Sequence, residues 1–126
     1  MKIEAFTDRE ATAFPGVEGV TIRWMIGKRD DAPNFAMRVI EVEPGCQTPF
    51  HSHDYEHEVF ILQGEGVIKD ADAQEHHIET GSTVFIRANE EHGFYNRGEG
   101  VLRFICMVPH VEGLEPVGVG ETGDVC

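Results

Sequence analysis

Apolar and polar positions alternate in short runs broken by glycine and proline, the pattern of strands joined by tight turns. The first persuasive strand covers residues 21–27, TIRWMIG, and ends at a glycine before the charged loop KRDDAPN. Residues 35–43, FAMRVIEVE, form the next, with Phe35, Met37 and Val39 on one face and Ala36, Arg38, Ile40 and Val42 on the other. Arg38 is thus a cation in an apolar row, either snorkelling at a strand edge or pointing into a cavity. Further strands are expected at 58–63, 67–69, 83–86, 93–97 and 101–108. In the last of these Leu102, Phe104 and Cys106 share a face, and Arg103 marks the opposite face as the one nearer solvent. Eight or nine short strands without a convincing helix predict an all-β barrel or sandwich.

A chain of 126 residues is expected to form one domain over 1–126. Residues 1–20 read as an N-terminal arm and 109–126 as a loosely ordered tail. No apolar run approaches the length that crosses a membrane, and the first residues lack the apolar stretch of a signal peptide, so the expected location is cytoplasmic. Cys46, Cys106 and Cys126 are an odd set without close spacing, which fits reduced thiols. A net charge of −13 argues against a nucleic-acid partner and leaves a small molecule as the expected ligand.

The chemistry concentrates between residues 47 and 64, QTPFHSHDYEHEVFILQG. His51 and His53 are two apart and leave the same face of an extended chain, where they can share one ion; His57 keeps that parity if the chain stays extended. Glu58 would replace His57 if a bulge shifted the phase. The spacing of His53 and His57 also suits a helix, but Pro49 upstream and Val59, Phe60 and Ile61 downstream leave no room for one. His76 and His77 are adjacent, point to opposite faces, and read as exposed hairpin residues.

Two glycine-bounded segments frame this chemistry: Gly45 through His51, His53 and His57 to Gly64, then Gly81 through Arg87, Asn89 and His92 to Asn96. Together they resemble the paired motifs of the cupin superfamily, with Arg87 and Asn89 where those motifs usually carry proline and glycine. The resemblance implies a cupin-type barrel, a double-stranded β-helix or jelly roll. It further implies a divalent metal on His51, His53, His57 and His92, with Glu58 as the alternative to His57. Manganese is the ion implied; imidazole alone also accepts iron, nickel, copper or zinc.

The expected activity is a metal-dependent oxidoreductase of dioxygenase type on a small organic substrate, with Arg38 anchoring it and Phe104 and Cys106 beside it in the pocket. A non-catalytic binding module, or an isomerase or lyase, is the alternative. Small cupins also imply a homodimer, here expected to cover residues 21–27 and Trp24.

Overall fold

The alternation folds into β1 (Thr12–Ala13), β2 (Val20–Ile26), β3 (Phe35–Val42), β4 (His57–Gln63), β5 (Glu65–Lys69), β6 (Glu75–Glu79), β7 (Thr83–Ile86), β8 (Gly93–Asn96) and β9 (Leu102–Pro109). The computed structural model describes residues 1–115, and these contain no α-helix. Six strands form one antiparallel sheet in the order β1-β2-β3-β9-β4-β7, and three form a second in the order β6-β5-β8. The two sheets face each other across an apolar core as a jelly-roll barrel.

The side-chain period of two decides what enters that core. Along β9 Leu102, Phe104, Cys106 and Val108 are buried, while Arg103, Ile105 and Met107 alternate with them. Phe104 from the larger sheet stacks on Phe94 from the smaller, ring centroids 4.4 Å apart, and the two rings pin the sheets together. Glycines bound the turns for a steric reason. Gly64 has φ of 93°, and a Cβ there would lie 2.6 Å from the Val101 carbonyl oxygen.

Three sequence expectations change. Trp24 is not an exposed residue awaiting a second copy: it is 7 % exposed inside its own barrel, with the Arg38 guanidinium 5.2 Å from its ring, and β1 already pairs with its strand. The N-terminal arm contributes to the fold through β1 and through Phe14, which is 1 % exposed. Residues 110–115, read as part of a loose tail, are docked: Leu114 is buried, and Glu115 accepts hydrogen bonds from Lys28 N at 2.9 Å and lies 3.0 Å from His110 Nδ1. The remainder of that tail, 116–126, lies outside the described residues.

Candidate metal centre

Residues 47–51 run beside β8 as a partial extra strand, with Thr48 N donating to the Phe94 carbonyl at 2.9 Å. His51 and His92 then exchange both backbone hydrogen bonds, at 3.0 and 2.9 Å, which sets the two residues directly opposite each other. The chain bends at Asp54 and Tyr55 before β4 begins at His57. Strand parity in β4 buries His57, which is 1 % exposed, and turns Glu58 to solvent. Glu58 pairs with Phe85 and Met107 on the outer face of the sheet, so the alternative with Glu58 as a ligand is set aside.

Four imidazoles converge inside the barrel. Ring centroids are 4.2 Å apart for His51 and His53, 5.2 Å for His51 and His92, 5.1 Å for His53 and His57, and 5.3 Å for His57 and His92. His51, His53 and His92 each offer a ring nitrogen within 4.8 Å of the others, a set that can hold a metal ion. The Nε2 atoms of His53, His57 and His92 are buried without a hydrogen-bond partner, and Nε2 of His51 is buried beside them. Buried polar nitrogens left in this state cost free energy unless something binds them, and a divalent ion fits neutral imidazole donors. The nitrogens of His51, His53 and His92 therefore fit the implied metal, and His57, with its ring centroid 5.1 and 5.3 Å from those of His53 and His92, lies beside them.

The neighbours of these rings fix their orientation. His92 Nδ1 donates to the Glu90 carbonyl at 2.9 Å, leaving Nε2 for the interior. Tyr55, which the sequence did not single out, stacks on His53 at 4.7 Å with 8° between the planes. Thr48, also passed over, is fully buried and its Oγ1 accepts from Phe94 N at 2.9 Å, tying the His51 segment to β8. Asn89 takes the left-handed φ of 67° that a glycine would otherwise supply, and its backbone N–H donates to the His53 carbonyl. The loop that carries His92 is thus fastened to the segment that carries His53.

The other expected pocket residues sit deeper. Arg38 and Cys106 are fully buried on the Nδ1 side of His57, and Phe104 is fully buried in its stack with Phe94. None of the three forms an open wall. His76 and His77 are exposed on β6, with His76 2.7 Å from Asp70, as the sequence reading held. A cavity of about 520 Å³ opens between β6 and β7 and reaches His92 past Ile68, Ile78, Val84 and Ile86. That volume suits a small organic ligand.

The family model described as Cupin domain matches residues 38–108. The chain belongs to the cupin family. Among solved structures, this cupin is similar to the polyketide cyclase RemF from Streptomyces resistomycificus, 32 % identical over 86 % of this chain and 79 % of that one, with a TM-score of 0.80. It is also similar in fold to a predicted oxalate decarboxylase from Thermotoga maritima, 23 % identical over 87 % of this chain and all of the other (100 %), with a TM-score of 0.74. A curated relative, the oxalate-binding protein of Thermotoga maritima, is 31 % identical over 70 residues, 55 % of this chain; the match spans only 57 % of that protein's length.

Burial disfavours the charged form of His53, His57 and His92. Desolvation, then neighbouring positive charge, pushes His53 down to about 4 and His57 to about 2; His92 is lowered by desolvation too. In the unfolded chain these groups titrate near the ordinary ~6.5, so between there and about 4 the unfolded state binds more protons than the folded one. The metal-free cupin is therefore expected to lose stability as pH falls through that window. Urea midpoints measured at pH 7.5 and 5 check this, and equal midpoints would refute it. Among the described residues no helix is long and apolar enough to cross a membrane.

Proposed function

We propose that this cupin is a cytoplasmic metal-dependent enzyme that binds a small, neutral, carbonyl-bearing substrate at a divalent ion held by His51, His53, His57 and His92. The observation that carries the reading is the convergence of four imidazoles whose Nε2 atoms are buried, with no carboxylate in the group. An ion held only by neutral donors keeps its full double charge and supplies Lewis-acid chemistry toward a substrate oxygen. Manganese is the ion proposed, in competition with iron, nickel, copper and zinc, which imidazoles also accept.

The protein's own groups serve that chemistry in specific ways. Ile68, Ile78 and Ile86 line the cavity that touches His92 and give it an apolar wall against which a small organic substrate could pack. Glu90 and Glu91 line the cavity and Asp70 joins them, against Lys69 as the cation, so an anionic substrate is disfavoured at entry. The backbone carbonyl of Glu90 holds the Nδ1 proton of His92. We favour ring closure or isomerisation without redox change; the 32 %-identical neighbour, named a polyketide cyclase, supports the ring closure.

The dioxygenase expected from the sequence is the second reading, supported by the same four-imidazole set, whose ion would be able to take dioxygen as well as substrate. A binding module without turnover is the third, supported by the oxalate-binding relative. Assays of the metal-loaded protein against aromatic polyketone and hydroxyketone panels, with an oxygen electrode in parallel, separate them. Chelator-sensitive turnover without oxygen uptake is the expected result; stoichiometric oxygen uptake would favour the dioxygenase, and chelator-sensitive binding alone the module.

A homodimer is part of the proposal, with a different contact from residues 21–27. On the outer face of β4 and β7, Phe60 is 44 % and Phe85 51 % exposed, beside Ile105 and Met107 of β9. Copies carrying −13 each repel, and this largely uncharged patch is where a second copy gains most by contact. Light scattering is expected to give a dimer for the parent and a monomer for Phe60→Glu; a monomeric parent refutes it.

A further inference from the structure

On the Nδ1 side of His57 three buried side chains meet. Arg38 donates through Nη2 to Cys106 Sγ at 2.8 Å, Cys106 Sγ lies 3.3 Å from His57 Nδ1, and Arg38 Nη2 lies 3.4 Å from the same nitrogen. Arg38 and Cys106 are 0 % exposed and His57 1 %. The sheet builds this contact: Arg38 and Cys106 are direct partners across β3 and β9, and Cys106 pairs with Val59 on β4, two residues beyond His57.

The chemistry of an imidazole ligand assigns each group a part. A ring that gives the Nε2 lone pair to an ion carries its proton on Nδ1 and needs an acceptor there. A guanidinium has donors only, whereas sulfur accepts. We propose that Cys106, held in place by Arg38, is a positioning residue for the metal centre: its sulfur accepts the Nδ1–H of His57 and so fixes the tautomer and ring orientation that present Nε2 to the ion. The Glu90 carbonyl does the same for His92 at 2.9 Å. Arg38, donating to the same sulfur, sets the direction of its lone pairs. A row inherited from strand parity, a cation and a thiol among apolar neighbours, thereby acts on the metal without touching substrate. The inference rests on His57 being a ligand.

The test is zinc affinity, by competition with a chromophoric chelator, measured with the melting temperature of each metal-free variant. Cys106→Ser keeps an acceptor and is expected to bind zinc within ~3-fold of the parent, whereas Cys106→Ala is expected to bind about 10- to 100-fold more weakly. Because Cys106→Ala also removes one acceptor from a buried guanidinium and can fail to fold, the double variant Arg38→Met with Cys106→Ala carries the decision. It removes donor and acceptor together, so its metal-free melting temperature should approach the parent's while its zinc affinity stays at least ~10-fold lower. Parent-like affinity in the double variant overturns the proposal. So does a loss of affinity in Cys106→Ser equal to that of Cys106→Ala. A parent that binds no zinc refutes the metal reading itself, a result distinct from both.

Discussion

Removing the metal from this cupin with a chelator at neutral pH is expected to lower its melting temperature by on the order of 10 °C or more. An ion present at a thousand times its dissociation constant adds about 4 kcal/mol to the folded state, and for a chain of this size each kcal/mol moves the transition by several degrees. The placement of the proposed ligands explains why the whole barrel would feel the loss. His57 opens β4 in the six-stranded sheet, whereas His92 immediately precedes β8 in the three-stranded one. An ion held by both would fasten sheet to sheet. Without it, buried Nε2 atoms face one another with no partner for those of His53, His57 and His92. Because burial holds His53 down to about 4, protons do not compete in the folded state at the ordinary imidazole range, and the metal's advantage should persist to about pH 5 and shrink below it. Differential scanning fluorimetry with and without chelator across pH 4.5–7.5 measures this. Identical melting temperatures at neutral pH would show that the barrel holds itself together and that the site bears only on function.

The second large effect lies in the core. Phe104→Ala is expected to cost about 3–5 kcal/mol, a large share of the ~5–15 kcal/mol that keeps a domain of this kind folded. Phe104 is fully buried and stacks on Phe94 across the two sheets, so its loss opens a cavity at the point where the layers are joined. The backbone of two hydrogen-bonded sheets collapses little into such a gap. Phe104→Leu retains most of the volume and should cost less than half as much. Urea unfolding monitored by far-UV circular dichroism reads both, and a Phe104→Ala loss below about 1 kcal/mol would contradict the assignment of this ring to the core.

Strand parity made much of this legible in the sequence. The alternation at 101–108 placed Leu102, Phe104 and Cys106 inward, and the same rule put Arg38 on the buried face of β3 and Glu58 on the open face of β4. The histidines were legible through their spacing, although the extended path from His51 to His57 was not followed: the chain bends at Asp54 and Tyr55, and the rings converge through that bend. Parity says which face a side chain takes but not how far the face lies from solvent. Trp24 and Arg38 show the difference, since each was given an exposed or pocket role and each is enclosed by the other and by the barrel.

Contacts made between segments distant in sequence left no local signal. Nothing near Tyr55 reports that it stacks on His53, and nothing near Thr48 reports its bond to Phe94. The Arg38, Cys106 and His57 cluster joins three strands, so only the register could reveal it. Asn89 was a partial exception. Standing at a position where a glycine is usual, it is one of the few residues that adopt a left-handed φ at small cost, and it does so here.

The most direct test of the account is X-ray absorption at the metal edge of the protein purified under metal-replete conditions, with elemental analysis of the same sample. One divalent ion per chain, in a shell dominated by four imidazole nitrogens at roughly 2.0–2.2 Å, is the predicted result. A protein that holds no stoichiometric ion, or one whose ion is ringed mainly by carboxylate oxygens or by sulfur, would contradict it.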